Sequence, residues 1–273
     1  MKSDEIEFVA ELARAGAGLQ IDREQEYLIE SRLAPVARRE GFGSIREMLL
    51  AARQRREEPL LWSVVEALAG AETCFFRDMP VFNRFRDEML PALAKARPEG
   101  TPVRVWSAGC AGGQEAYSLA FAAEEASSAL FGREVEVLGS DLSERALEKA
   151  QAGVYTQFEI QRGLPIRTLV RHFEKREEMW ALSPRIRAMV RWKRVNLNSD
   201  FRAVGRFDVI FCRHVLRDME AGARKRTLDQ LALALNSDGY LVLGADEAPE
   251  MGEAFQPLEG GVWRLNPAKR AAA

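Results

Sequence analysis

The amino-acid sequence predicts an α/β fold with a doubly wound, mostly parallel sheet that follows a helical region. Five apolar, strand-like runs alternate with helical segments, which is the rhythm of βαβ units. These runs are 103–106, 135–140, 190–195, 207–212 and 239–245. The first 90 residues show helical spacing of apolar side chains without strand-like alternation.

Changes of composition along the chain indicate its domain organisation. Two prolines and a glycine between residues 94 and 102 mark a boundary, and an irregular stretch with Pro165 and Pro184 interrupts the strand–helix rhythm. The segment 261–265 is predicted to be an antiparallel edge strand. The predicted regions are a helical N-terminal domain over 1–90, a linker over 91–102, and a sheet domain over 103–273 with an inserted subdomain at about 160–195.

Composition is ordinary for a globular protein. The 273 residues carry 39 Lys and Arg against 41 Asp and Glu, a net charge of −2, which gives no general reason to expect nucleic-acid binding. No apolar run approaches the length of a membrane span, and the first residues lack the features of a signal peptide. We therefore expect a cytoplasmic monomer that neither inserts into a membrane nor binds nucleic acid.

The sequence offers no metal site. Cys74, Cys110 and Cys212 lie far apart without a C-x-x-C pair, and only two histidines are present. We expect the cysteines to be reduced thiols, and Cys110 and Cys212 to be packing residues.

A glycine cluster follows the first predicted strand. The stretch Val103–Glu115 runs from an apolar segment into Gly109, Gly112 and Gly113, and a helical run begins directly afterwards. Glycine lets the backbone approach a ligand, and the start of a helix offers unpaired N–H groups. The spacing is not G-x-G-x-x-G, so it favours a methyl donor of the S-adenosyl type over a dinucleotide. Gly109 is a candidate for contact with that donor.

An aspartate ends the second predicted strand. Asp141 follows the run 135–140, where a carboxylate can accept hydrogen bonds from both hydroxyls of a ribose. It also begins the sequence Asp-Leu-Ser-Glu, which is typical of a helix start, so it can instead cap the next helix. The sequence leaves both interpretations open.

A nucleophile elbow is an alternative interpretation of the glycine cluster. Cys110 would replace the serine of a G-x-S-x-G turn, and His172 or His214 would act as its base. Ala108 stands where that motif has its leading glycine, which weakens the match. This alternative predicts an esterase activity that alkylation of Cys110 abolishes.

Several short motifs, in order along nearly the whole chain, carry a resemblance to one family. They are Glu72–Arg77, Trp106–Ser118, Ser140–Asp141, Ala150–Tyr155, Asn196–Leu197, Phe207–Arg213 and Gly244–Glu247. The T-x-F-F-R and F-C-R elements are specific as a set. With them, the sequence resembles the chemotaxis receptor methyltransferases, which methylate glutamate side chains of chemoreceptors with S-adenosylmethionine.

The resemblance implies a fold, a site and a partner. The fold is an S-adenosylmethionine-dependent methyltransferase domain with a helical N-terminal domain and a small inserted β-subdomain. The expected partners are the cytoplasmic helices of a chemoreceptor. The methyl donor, or its product S-adenosylhomocysteine, is expected at Thr73, Arg77, Glu115, Asp141, Asn196, Leu197 and Arg213.

Arg77 is the candidate catalytic residue. A glutamate is ionised at neutral pH, so methyl transfer to it needs positioning rather than a general base. A guanidinium can hold a carboxylate in a defined plane, and the two phenylalanines before Arg77 favour an anchored side chain over an ordinary surface ion pair. Arg213 and His214 follow a buried strand and so reach the ligand-binding edge, although a lone histidine can also satisfy a local hydrogen bond.

Departures from the family pattern bear on activity. The stretch Ala69–Ala71 stands where Thr-Thr-Asn is usual, so the resemblance implies that an amide contact to the donor is missing. His214 replaces an Asn, and Asp218 replaces a Tyr near the reacting sulfur. Because Asp218 would repel an anionic substrate, we expect it to point elsewhere or to pair with Arg217 or Arg213. A non-catalytic module that binds the donor, its product or a partner protein is therefore the alternative function.

The inserted region bears on the choice of partner. Residues 151–200 contain ten Lys and Arg against five Asp and Glu, which is typical of a solvated surface or of a subdomain that meets an acidic partner. Some members of the family dock a tail peptide from the receptor's C-terminus on a glycine-containing loop. The corresponding stretch 173–180 has no glycine, so a tight turn is expected to be harder to form there.

We therefore predict that this protein recognises the receptor helix directly and does not depend on a C-terminal tail peptide. Basic residues of 162–194 and of the N-terminal domain would make the contact, unless they merely solvate helix faces. The candidates in the N-terminal domain are Arg32, Arg38, Arg39, Arg53, Arg55 and Arg56.

Overall fold

The computed structural model describes residues 1–22, 24, 26–70, 72–245, 247 and 254–266. These residues form two compact units. The first, the helical unit, contains Met1–Gly70, Asn196–Asp200 and Leu216–Thr227. The second, the sheet unit, contains the other described residues.

Amphipathic helices make up most of the helical unit, as the apolar spacing predicts. They are α1 (Ser3–Ala17), α2 (Glu26–Arg39), α3 (Ile45–Arg55) and α4 (Glu58–Leu68). Each buries one apolar stripe, as Val9 and Ala13 show for α1. Ser44 is the N-cap of α3, because its Oγ accepts a hydrogen bond from the Glu47 N–H at 3.1 Å.

The sheet unit contains the described strands. These are β1 (Val103–Ala108), β2 (Val135–Asp141), β3 (Val154–Thr156), β4 (Phe173–Arg176), β5 (Met179–Leu182), β6 (Val190–Arg194), β7 (Phe207–Phe211), β8 (Leu235–Val242), β9 (Phe255–Pro257) and β10 (Val262–Leu265). A seven-stranded sheet has the order β6-β2-β1-β7-β8-β10-β9. The strands from β6 to β8 run parallel, and β10 is antiparallel to β8 and β9. The predicted α/β class with a mostly parallel sheet is confirmed.

The sheet unit also contains helices. They are α5 (Met79–Arg84), α6 (Leu90–Ala96), α7 (Gln114–Glu125), α8 (Glu144–Ala152), α9 (Gln157–Gln161), α10 (Ile166–His172), α11 (Pro184–Arg187) and α12 (Ala221–Ala234), of which the first part of α12 belongs to the helical unit. A π-helical turn, Phe85–Met89, joins α5 to α6. All five residues of β7 are buried, as expected for a parallel strand that is covered on both faces.

Three features of the fold bear on the sequence prediction. The segment 261–265 is antiparallel but is not an edge strand, because β9 pairs with its outer side. The predicted linker 91–102 overlaps α6, in which Leu93 and Ala94 are buried. The two compact units divide after Gly70 rather than at residue 90. That the predicted regions are independent folding domains stays a prediction.

The inserted region contains a second, antiparallel sheet of three strands in the order β3-β5-β4. This sheet spans 154–182, whereas β6 belongs to the main sheet through its pairing with β2. A two-residue turn joins β4 to β5, and Glu177 adopts the left-handed conformation there, with φ of +53°. A tight turn therefore forms here without glycine, although the sequence analysis expected it to be harder to form.

Candidate functional site

A tight loop joins β1 to α7. Gly109, Ala111 and Gly113 all have positive φ, at +78°, +47° and +89°. The backbone N–H groups of Gly109 and Cys110 both donate to the Ser140 carbonyl at 2.8 Å, which ties the loop to β2. A Cβ on Gly109 would lie 2.5 Å from a methyl group of Val215, so only glycine fits. The predicted strand, glycine turn and helix are present.

Asp141 lies at the carboxyl end of β2, beside this loop. One carboxylate oxygen accepts the Ala111 N–H at 2.8 Å, and the other accepts the Ser143 N–H at 2.9 Å. The N-cap of α8 is Ser143, whose Oγ accepts the Ala146 N–H. Asp141 therefore supports the turn before the helix without being its cap, and it anchors the glycine loop.

A buried arginine, which follows the central strand β7, connects two carboxylates. Arg213 Nη1 lies 3.3 Å from Glu115 Oε2, and Nη2 bonds to Asp78. The other oxygen of Glu115 accepts a hydrogen bond from Ser107 Oγ at 2.9 Å. Burial raises the pKa of Glu115, while the charge of Arg213 opposes the rise. The sheet edge therefore holds a buried cation between a poorly solvated acid, Glu115, and a largely exposed one, Asp78.

The turn Phe75–Asp78 is held from several directions. Phe75 is buried, and its ring lies 5.1 Å from that of Tyr155 and 5.9 Å from that of Phe173. Phe76 and Asp78 adopt left-handed φ values of +47° and +60°. Such values in non-glycine residues are strained and persist only where the surroundings impose them.

Two further contacts fix the same turn. The Phe76 N–H donates to Ser118 Oγ at 2.9 Å, and that hydroxyl in turn donates to the Gln114 carbonyl of α7. Gly163, between α9 and α10, packs so closely that a Cβ would lie 2.1 Å from the Phe75 carbonyl oxygen. The predicted anchoring by the two phenylalanines is thus present, with help from α7 and from the inserted region.

Arg77 is presented by this turn. Its side chain is half-buried, and within the described residues it makes no hydrogen bond or ion pair. The alternative interpretation, an ordinary surface ion pair, is therefore absent there. Thr73 is half-buried as well and has no described hydrogen bond.

His214 follows Arg213 and has a φ of +60°. Its backbone N–H donates to Glu247 Oε2 at 2.6 Å, and the Gly244 N–H donates to the same oxygen at 2.8 Å. Glu247 is buried. The structural role of Glu247 is not predicted from the sequence, although an acid just beyond a strand at the ligand-binding edge is a usable signal.

Asn196 and Leu197 belong to the helical unit. Asn196 Nδ2 donates to the Gly16 carbonyl at 2.7 Å. Leu197 is buried, and its carbonyl accepts a hydrogen bond from Thr227 Oγ1 at 2.9 Å. These bonds lie within the helical unit, whereas Thr73, Arg77, Gly109, Glu115, Asp141, Arg213 and His214 belong to the sheet unit.

The departures from the family pattern have different outcomes. Asp218 Oδ1 lies 3.8 Å from Arg217 Nε, as the charge argument predicts. Ala71 lies outside the described residues.

The nucleophile-elbow alternative lacks its activated thiol. Burial raises the pKa of Cys110 well above its ordinary value, so the group stays a thiol at neutral pH. His172, one candidate base, lies with Nε2 3.0 Å from Glu124 Oε2. Cys212 is equally buried with a raised pKa, in agreement with a packing role for both cysteines.

Two further features are absent from the described part of the chain. It contains no group of three or more His, Cys, Asp or Glu side chains that could hold a metal ion. In the same residues, no helix is long and apolar enough to cross a membrane.

The residues at the sheet edge fit a ligand with ribose hydroxyls and a charged amino-acid part. The positive-φ loop leads directly into the start of α7, and Asp141 brings a carboxylate to the same loop. Gly113 lies so close to Ala150 and Trp192 that a Cβ would meet both within 3 Å, which keeps the loop compact. This combination of fold and site defines an S-adenosylmethionine-dependent methyltransferase.

Comparison with known proteins specifies the family. Residues 71–261 match the family model described as CheR methyltransferase, SAM binding domain. The chain therefore belongs to the CheR methyltransferase family, and it uses S-adenosylmethionine as methyl donor.

Curated relatives span nearly the same length. Chemotaxis protein methyltransferase 1 of Pseudomonas aeruginosa is 35% identical over 90% of this chain and 92% of the relative. Chemotaxis protein methyltransferase Cher2 of Pseudomonas putida is 33% identical over 85% of each chain. A solved TehB-like SAM-dependent methyltransferase from Corynebacterium glutamicum matches 69% of this chain and 95% of that chain, with 17% identity and a TM-score of 0.37.

Proposed function

We propose that this methyltransferase transfers the methyl group of S-adenosylmethionine to glutamate side chains on the cytoplasmic helices of a chemoreceptor. The observation that carries the proposal is Arg77, a half-buried arginine without a described partner on a strained, well-held turn. A guanidinium kept free in this way is available for a carboxylate. The names of the curated relatives, which are chemotaxis protein methyltransferases, support the same pathway.

The chemistry asks for positioning. S-adenosylmethionine, when bound, supplies an electrophilic methyl group. A glutamate carboxylate is already ionised at neutral pH, so no side chain has to remove a proton. In the proposal, Arg77 orients the substrate carboxylate or the donor, and the strain of the Phe75–Asp78 turn is the means of keeping that guanidinium in place.

The donor is assigned to the residues that the family resemblance implies. Asp141, whose carboxylate accepts the Ala111 and Ser143 N–H groups, would also accept the ribose hydroxyls. Arg213 and Glu115, which form an ion pair, would contribute the charged side chains of the donor site. The full proposed set is Thr73, Arg77, Gly109, Glu115, Asp141, Asn196, Leu197, Arg213 and His214.

The receptor is proposed to bind directly, without its C-terminal tail peptide. The turn between β4 and β5 has two residues, and both are glutamates, Glu177 and Glu178. So short and acidic a turn offers little surface for an added peptide. Exposed arginines of the insertion and of the helical unit would meet the acidic receptor helix instead.

We also propose that the protein acts as a monomer in the cytoplasm, where receptor signalling helices are accessible. A large buried core within the sheet unit supports folding without a partner subunit. Light scattering after size-exclusion chromatography would measure the oligomeric state.

Transfer of a labelled methyl group tests the function. We would incubate the full chain with donor labelled in the methyl group and with purified receptor cytoplasmic fragments. Glutamate methyl esters hydrolyse in mild base and release labelled methanol, whereas methylated lysine or arginine does not. Base-labile label on the receptor supports the proposal. Donor binding without transfer to any receptor would instead favour the non-catalytic alternative.

A further inference from the structure

Helix α10 has one face built into the sheet unit. Thr168, Leu169 and His172 are buried. His172 lies 3.0 Å from Glu124, and its ring packs on Phe121 with 5.1 Å between the ring centroids. The helix is therefore held firmly, and its other face is a defined surface.

The outer face of α10 is both apolar and basic. Ile166 and Val170 lie one helical turn apart and are 70% and 77% exposed. Arg167 and Arg171, also one turn apart, lie beside them and are exposed. Covering the two apolar side chains would be favourable, so this face gains from a partner.

Helix α9 adds the same two kinds of side chain. Phe158 is 67% exposed, and the guanidinium carbon of Arg162 lies 5.6 Å from the centre of its ring. Glu159 is the one acidic residue in the segment 157–171, all of which is described, and it is already bonded to Lys149. We name the following six side chains the insertion face: Phe158, Arg162, Ile166, Arg167, Val170 and Arg171.

We propose that the insertion face docks an amphipathic helix whose apolar stripe is flanked by Asp or Glu, supplied by the cytoplasmic domain of the receptor substrate. The proposal rests on the proposed function. Charge selects the partner, because the face carries three exposed arginines, of which only Arg171 lies near a carboxylate of the protein, with Nη2 3.9 Å from Glu124 Oε1. Such a surface favours an acidic partner. The exposed apolar side chains match the stripe of a helix laid along them.

None of these six residues is assigned to the methyl donor. The face therefore contributes to affinity for the receptor and to its orientation, and it leaves the chemical step unchanged. In kinetic terms, its removal acts on KM for the receptor and not on kcat.

The double variant Ile166→Gln/Val170→Gln in the full chain tests the apolar half. The probe is a receptor cytoplasmic fragment truncated before its C-terminal tail. We expect KM for the fragment to rise about tenfold, with kcat and the affinity for S-adenosylhomocysteine unchanged. Leu233→Gln is the matched control, because Leu233 is a helical apolar residue that is 54% exposed elsewhere on the sheet unit.

The double variant Arg167→Glu/Arg171→Glu tests the basic half. Calorimetry with the same fragment, without donor, should show weaker binding and a smaller dependence on salt. Unchanged binding in both double variants, or no binding of the fragment by the wild type, would overturn the proposal. A lipid surface as occupant would also overturn it. In that case the double variants would lose the binding of anionic vesicles that the wild type shows, while their binding of the fragment would stay intact.

Failure of the docking surface and failure of the proposed function give different results. A protein that binds the fragment through the insertion face but transfers no methyl group supports the docking surface and contradicts the proposed function. A protein that methylates the fragment equally well in all variants keeps its function and loses the docking surface.

Discussion

Glu247 Oε2 accepts a hydrogen bond from the His214 backbone N–H at 2.6 Å, so a buried carboxylate holds a residue whose φ is +60°. The same oxygen accepts the Gly244 N–H, and one side chain thus joins the segments that follow β7 and β8. Arg213 precedes His214 and bonds to Glu115. The charged site therefore depends on a residue that is not itself expected to touch a ligand.

Loss of this carboxylate should cost stability. Glu247→Ala removes the carboxylate that accepts the buried Gly244 N–H and the half-buried His214 N–H, and we expect the free energy of unfolding to fall by about 1–3 kcal/mol. Glu247→Gln keeps a neutral oxygen and should fall between the alanine variant and the wild type. Urea unfolding followed by circular dichroism measures both. An alanine variant as stable as the wild type would contradict the structural role of Glu247.

Arg77 should separate activity from stability. Arg77→Ala should reduce turnover by about two orders of magnitude or more, because a positioned charge is lost. The free energy of unfolding should change by less than about 0.5 kcal/mol, since Arg77 has no described bond within the protein. Arg77→Lys should restore little, because lysine lacks the planar fork. Near-normal turnover of the lysine variant would show that charge alone suffices.

Asp141 should contribute to donor binding. Asp141→Ala should weaken the binding of S-adenosylhomocysteine by roughly 2–4 kcal/mol, through the loss of charge-assisted hydrogen bonds to the ribose. Asp141→Asn is the control, because its remaining oxygen still supports the loop to Ala111 or Ser143. Isothermal titration gives both affinities. If the alanine variant binds as tightly as the wild type, the ribose assignment fails.

Glu115 should make stability depend on pH in one direction. Burial raises its pKa above the ordinary value of 4.5, so the folded protein holds this proton more tightly than the unfolded chain. Its contribution to stability is therefore full below about pH 4.5 and declines as pH rises through the higher folded pKa. The unfolding free energy of the wild type minus that of Glu115→Gln should therefore fall as pH rises over that window. A value that rises with pH would contradict the raised pKa.

Receptor binding should not need the tail peptide. We expect a receptor fragment without its C-terminal tail to bind as tightly as the complete fragment, and both to bind more weakly at high salt. Calorimetry with the two fragments at low and high salt measures this directly. Binding that disappears when only the tail is removed would refute the prediction.

The sequence was sufficient to locate site residues where the same local pattern of residue types serves both function and structure. The glycine turn before α7 and the aspartate at the end of β2 were located because their residue types follow apolar strands at fixed spacing. The ambiguity of Asp141 had a physical origin, since a carboxylate at that position supports both a turn and a ligand. The choice of Ser143 as N-cap required coordinates.

Contacts between distant segments could not be predicted from the sequence. Nothing near Ser118 shows that its hydroxyl meets the Phe76 N–H, and nothing near Asp78 shows that it bonds to Arg213. The start of the predicted linker 91–102 overlaps α6, while the linker itself stays a prediction. Its prolines and glycine were given more weight than the helical spacing of Leu90, Leu93 and Ala94, which are all buried in α6.

The close packing of Gly163 against the Phe75 carbonyl links two parts of the protein that have different tasks. The inserted region is the part proposed to meet receptors, and the turn after Phe75 carries Arg77. Phe173 of the insertion packs on the same ring of Phe75. A bulkier residue at 163 or a smaller one at 173 would therefore disturb the guanidinium of Arg77. For this reason evolution toward a new receptor cannot freely reshape the inserted region. Receptor specificity can change most easily through its outward-facing side chains.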